Sequence, residues 1–156
     1  MARELSFWSL VVLVAVAMEL WAMLLHGRLW HGVLWFAHRS HHTPRRGWLE
    51  FNDAFAALHA LVAMGLIIGG LELLDGQIQL VAVAVGVGMS VFGMAYFTVH
   101  DGLIHGRLPV AFLARWSWLR RIRNAHLVHH QRDAAPYGLF LGVWELRRQQ
   151  ALAKKS

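Results

Sequence analysis

The sequence predicts an all-α integral membrane protein: a helical bundle of about three transmembrane helices with a cytoplasmic, histidine-rich, metal-binding cap. Three observations lead there. The 156 residues are 57% hydrophobic and 15% charged, with mean hydropathy +0.43. That is too apolar for a soluble domain of this size, and the length suits a single domain over 1–156. Three apolar runs are each long enough to cross a bilayer. Of eleven histidines, all but His59 fall into four short motifs.

The first run, 6–25, is interrupted only by Glu19. It is long for a signal-peptide core, no small-x-small cleavage site follows it, and it leads straight into a histidine pair, so a retained helix is expected. A carboxylate inside a span is costly and normally faces the bundle interior, which gives Glu19 a packing role or one in orienting a ligand. Residues 26–53 are polar, with Pro44 and Gly47 breaking any helix and Asn52 or Asp53 suited to cap the next one. The second run, 54–74, contains His59, expected as a buried structural histidine. Asp75-Gly76-Gln77 then turns the chain into the third run, 78–99, where Gly86, Gly88, Ser90 and Gly93 allow close helix approach. Residues 106–124 mix arginines with Trp116 and Trp118 and are too short on apolar residues to span, the mark of a segment at the membrane interface. The apolar stretch 136–142 is also too short and is expected to fold back on the histidine-rich part.

The histidine motifs come in two forms. His26/His31 and His100/His105 are H-x4-H; His38/His41/His42 and His126/His129/His130 are H-x2-H-H. Positions i, i+3 and i+4 share a helix face, so each triplet is expected to aim at a single point. Positions i and i+5 lie far apart on an α-helix, so the two pairs need a helix that ends or loosens near Gly27 or Gly102. Imidazole is the commonest ligand for transition metals, and ten exceed what one ion holds, so a polynuclear site follows. Iron suits oxygen activation at such a site, with zinc, manganese and copper open on ligand type alone. Asp101, Glu19 and Asp53 are the candidates to hold a ligand imidazole from behind. The absence of cysteine excludes disulfides, iron–sulfur clusters and thiolate zinc.

Charge sets the orientation. With three spans, residues 26–53 and everything after 100 lie on one side, and every Lys and Arg except Arg3 lies there too. The positive-inside rule makes that side cytoplasmic, and all four motifs then share one membrane face. The net charge of +6 is accounted for by this asymmetry, and nucleic acid is not an expected partner.

These motifs resemble the membrane fatty acid hydroxylase and desaturase superfamily of non-haem di-iron enzymes. More narrowly, the chain is similar to the bacterial β-carotene 3-hydroxylases. The resemblance rests on Met18-Glu19, His26 to Gly32, His38 to His42 with Pro44-Arg45 and Gly47, Glu50 with Asn52-Asp53, Tyr96 to His105, Ala125 to His130, and Tyr137 to Phe140. It implies two iron ions held by His26, His31, His38, His41, His42, His100, His105, His126, His129 and His130, with His59 left out. It further implies dioxygen as co-substrate and hydroxylation of carbon 3 on the β-ionone rings of a carotenoid taken from the bilayer. It also implies electrons from a ferredoxin-type donor, with which the lack of a flavin or nicotinamide fingerprint agrees, and the expected location is a bacterial inner membrane. The segment between His130 and Tyr137 is shorter than the family's, which bears on substrate preference. A relative acting on a fatty acyl or sterol lipid, and a metal- or haem-binding membrane protein without catalysis, are the alternative readings. The oligomeric state is not legible.

Overall fold

The computed structural model describes residues 2–44 and 47–155. Arg45 and Arg46, the first of which belongs to the stretches carrying the resemblance, lie outside the described residues. The helices are α1 (Ala2–Leu25), α2 (Trp35–His38), α3 (Asp53–Leu73), α4 (Gly76–Tyr96), α5 (Ser117–Arg132) and α6 (Gly142–Ala153). Two π-helical segments, His26–Val33, which is kinked at Gly32 (φ −106, ψ −118), and Phe97–Ile104, continue α1 and α4, and 3₁₀ turns occupy Arg39–His41 and Ala111–Arg115. Among the described residues there is no strand. The chain divides into two compact units, Met1–Met18 with Asp53–Ala95 and Glu19–Asn52 with Tyr96–Ser156.

The first unit holds most of α1, α3 and α4. Arg3–Val33, Asp53–Leu73 and Gly76–Ile104 are long and apolar enough to cross a membrane, and the first and third of these helical stretches continue past the expected apolar runs. Large apolar side chains such as Leu13, Leu61, Leu71 and Met94 stand exposed around these helices. Helices apolar on every side belong in lipid. Their contacts are made by small residues. A Cβ on Gly86 would meet the Ala63 carbonyl oxygen and Ile67 Cγ1 at 2.7 Å, and one on Gly88 would meet Val14 Cβ at 2.7 Å. α4 therefore packs closely on both α3 and α1, with van der Waals contact where a hydrophobic force between helices is missing. Gly93 differs from expectation: nothing lies within 4 Å of its Cβ position. His59 also differs. It is only partly buried, and its Nδ1 donates to the Phe55 carbonyl one turn back at 2.8 Å.

The second unit gathers the ends of α1 and α4 with everything that follows each. Its core is Val99, Ile104, Ile122 and Leu139, with Leu119, Leu127, Phe140 and Val143 packed around them. α5 is amphipathic: Ile122, Ala125, His126 and His129 are buried while Arg120, Arg121 and Arg123 are exposed. The 136–142 stretch folds back as expected, its Leu141 N–H donating to Glu19 Oε1 at 2.9 Å. Glu145 in the first turn of α6 accepts the N–H groups of Tyr137 and Gly138 at 2.8 and 3.2 Å. In the interfacial stretch, Phe112, Trp116 and Trp118 are exposed, and the Arg115 guanidinium lies 4.5 Å from the Trp116 ring centre.

Candidate metal centre

The two H-x4-H pairs sit in the two π-helical segments. An i→i+5 turn is wider than an α turn and returns residues five apart to one face. The bonds that define it are present: His105 N–H donates to the His100 carbonyl at 3.0 Å, and Leu34 N–H to Leu29 at 2.8 Å. The loosening that the spacing demanded is thus a change of helix type, and the imidazole rings of His26 and His31 come within 5.1 Å, those of His100 and His105 within 4.7 Å. Close packing holds both segments. A Cβ on Gly27 would lie 2.7 Å from the Tyr137 ring, and one on Gly102 would lie 2.8 Å from Val110 Cγ2.

All ten grouped histidines meet in the second unit, and they form two groups. His26, His31, His38, His42 and His129 place one ligand atom each within 4.8 Å of the others, and so do His41, His105, His126 and His130. His100 adjoins the second group, its Nε2 3.0 Å from His41 Nε2 and the two rings stacked. The groups abut through His42 and His130, stacked at 4.3 Å. One expectation is corrected here: neither H-x2-H-H triplet aims at a single point. His38 and His42 serve the first group while His41, carried round by the 3₁₀ turn, serves the second. His126 and His130 serve the second while His129 crosses to the first. His59 is in neither group.

The hydrogen bonds identify which nitrogen faces inward. Six Nδ1 atoms meet oxygen acceptors: His26 the Tyr137 carbonyl at 2.8 Å, His38 Asn52 Oδ1 at 2.7 Å, His42 Asp133 Oδ1 at 2.7 Å, His129 the Ala134 carbonyl at 2.8 Å, His41 Glu50 Oε2 at 3.0 Å and His100 Asp101 Oδ2 at 3.1 Å. An oxygen that can only accept requires the proton on Nδ1, which leaves Nε2 with a bare lone pair. Yet the Nε2 atoms face one another: His26–His38 at 3.0 Å, His38–His42 and His42–His129 at 3.2 Å, His41–His100 at 3.0 Å, His126–His130 at 2.9 Å. Where both rings have their proton on Nδ1, as in the first four of these, such a contact is not a hydrogen bond. Lone pairs converging at this spacing suit a cation between them. Ligands about 2.1 Å from one ion lie about 3.0–3.4 Å apart in octahedral or tetrahedral arrangement.

Burial also keeps the imidazoles in the metal-binding form. It pushes His38, His105 and His129 down to about 3, with neighbouring histidines adding to the effect. His126 and His130 are likewise lowered well below the ordinary imidazole range by the same burial and by the histidines around them. All five are neutral at pH 7 and lose no proton on binding a metal.

Of the three residues expected behind the ligands, Asp101 accepts from His100 directly. Glu19, 6% exposed, holds the 139–141 backbone, and its Oε2 is buried with no hydrogen-bond partner among the described residues. Asp53 begins α3 in the first unit. Asn52, expected as a cap, turns its side-chain oxygen to His38. Glu50, Asp133 and the carbonyls of Ala134 and Tyr137 were not singled out from the sequence. Glu50 and Asn52 stood in the stretches that carried the resemblance, whereas Asp133 has only its place three residues after His130.

The fatty acid hydroxylase family matches residues 11–147. Beta-carotene hydroxylase 2, chloroplastic, of Capsicum annuum is 46% identical over 141 residues, covering 89% of this chain and 46% of that protein. Beta-carotene 3-hydroxylase 2, chloroplastic, of Arabidopsis thaliana is 45% identical with the same coverage. Beta-carotene hydroxylase of Pseudescherichia vulneris is 44% identical over 121 residues, 78% of this chain and 66% of that protein. The chain spans about half the length of the plant relatives it matches. No solved structure matches it. A family match over residues 11–147, a range that includes all ten of the histidines that converge here, makes this chain a member of the fatty acid hydroxylase family.

Proposed function

We propose that the chain is a di-iron monooxygenase that hydroxylates carbon 3 of the β-ionone rings of β-carotene, giving β-cryptoxanthin and then zeaxanthin. The observation that carries it is the pair of histidine groups with inward lone pairs, in a chain whose relatives are named for β-carotene hydroxylation. His26, His31, His38, His42 and His129 would hold one iron; His41, His100, His105, His126 and His130 would hold the other. When bound, the two irons supply dioxygen activation at ligands of neutral nitrogen. The balance is one C–H bond, one dioxygen, two electrons and two protons in, and one C–OH and one water out.

The protein's part is to hold the ligands without reorganisation. The Nδ1 bonds fix each ring's orientation and tautomer, and burial keeps bulk water from the imidazoles. A ferredoxin-type protein is the proposed electron source. The basic segments following α4 would draw an acidic donor, and on the positive-inside rule they would lie in the cytoplasm. The membrane helices would deliver an apolar carotenoid laterally from lipid.

Expression in a β-carotene-accumulating bacterium, followed by pigment chromatography, tests the reading. Singly and doubly hydroxylated products are expected. Unchanged pigment, with the protein in the membrane and a competent ferredoxin supplied, would count against the carotenoid substrate and favour an acyl or sterol lipid.

A further inference from the structure

The two histidine groups are supported by different chemistry. In the first, His26, His38 and His129 donate to neutral oxygens of Tyr137, Asn52 and Ala134, and the carboxylate present is that of Asp133 on the exposed rim, which accepts from His42 and also lies near His31. In the second, His41 and His100 both donate to carboxylates, Glu50 and Asp101, with side chains only 10% and 14% exposed. Two buried carboxylates in one place repel and are costly to desolvate unless a cation joins them. That cation is Arg107. Its Nη1 lies 3.0 Å from Asp101 Oδ1 and its Nη2 lies 3.2 Å from Glu50 Oε2, with the arginine side chain 6% exposed. The Nη2 contact is an ion pair without hydrogen-bond alignment.

The backbone is built to bring this arginine back. Gly106 adopts φ +67, a conformation open to glycine, and Arg107 N–H then donates to the Asp101 carbonyl at 2.8 Å. One guanidinium therefore stands behind two histidines 59 residues apart, His41 after α2 and His100 after α4. A lysine cannot take this place, since a single ammonium does not present two nitrogens in a fork.

We propose that Arg107 is a positioning residue for one metal centre only: by holding Glu50 and Asp101 it fixes His41 and His100, so the second ion depends on it and the first does not. Asn52, behind His38, is its counterpart for the first ion. This rests on the di-iron reading above.

The test counts iron per chain in the full-length, iron-loaded protein purified in detergent, before and after challenge with an iron(II) chelator. The unaltered chain should hold two irons. Arg107→Gln should release one of them about 10–100-fold more readily, the usual effect of removing support behind a ligand, and keep the other at the unaltered rate. Asn52→Ala should also loosen one, and the double variant should loosen both. A double variant that keeps one iron as tightly as either single variant would mean that both residues serve the same ion, and the proposal falls. It falls equally if Arg107→Gln loosens both ions or neither. Should that variant yield no folded protein, Glu50→Ala and Asp101→Ala each remove one arm of the clamp and must give the same one-ion phenotype. An unaltered chain holding fewer than two irons would overturn the di-iron reading instead.

Discussion

At the scale of single residues, the eleven histidines separate by what their nitrogens do. On the proposed di-iron reading each of the ten grouped histidines would supply a ligand atom that no neighbouring side chain replaces, so substitution by Ala should reduce hydroxylation to background and lower iron per chain. His59 donates to its own helix at Phe55, so His59→Ala should retain activity and iron, with at most a modest loss of protein level. Iron analysis beside pigment conversion checks this; a metal-free His59→Ala with a fully active His129→Ala would overturn the ligand set. The lowered histidines also set a pH window. Their folded values, about 3 for His38, His105 and His129, lie below the ordinary value of about 6.5. A depressed value contributes stability that is complete above the unfolded pKa and is lost as pH falls toward the folded one. Iron retention and circular dichroism, followed from pH 8 downward, should hold to about 6.5 and decline together toward about 3. Release beginning above pH 7 would contradict it.

At the scale of elements, the π-helical segments and the close helix contacts carry the geometry. Gly86→Ala and Gly102→Ala each place a methyl group under 3 Å from a packed neighbour, and overpacking of this kind costs about 1–3 kcal/mol. Gly93→Ala meets nothing within 4 Å and should be neutral or stabilising by about 0.5–1 kcal/mol, since Ala favours a helix interior. Thermal unfolding in detergent distinguishes them, and a Gly93→Ala variant less stable than the other two would reject the packing argument. Gly27→Ala should act differently, by displacing Tyr137, whose carbonyl orients His26; its loss should appear as weakened iron binding.

At the scale of the whole molecule, the membrane topology is the testable claim. A reporter active only outside the cytoplasm should be active when fused at Gly76 and silent when fused after Lys155, because three spans would put every Lys and Arg but Arg3 on the side of the histidines. Activity after Lys155 would invert the assignment. Convergence of segments 19–52 and 96–156 into one compact unit is what a shared face requires, since histidines on opposite faces of a bilayer do not meet.

Composition and local pattern by themselves determined the helical membrane class, the three apolar runs, the ten grouped histidines and the common side they occupy. Those are properties of short stretches, set by hydropathy, residue spacing and the sign of charge. The tertiary structure decided how the ligands are shared. His38 and His42 pair at i, i+4, as do His126 and His130, yet the member between them, His41 or His129, goes to the other group. Spacing states which residues share a face; which centre a residue joins depends on where the remaining ligands arrive from. The same holds for the support behind the rings. Tyr137 lies 111 residues from His26 and Asp133 lies 91 from His42, and no local pattern encodes contacts of that range. They exist because the packed core around Ile122 and the Glu19 and Glu145 bonds to segment 137–141 bring distant oxygens against Nδ1 atoms whose protons, once buried, must find an acceptor.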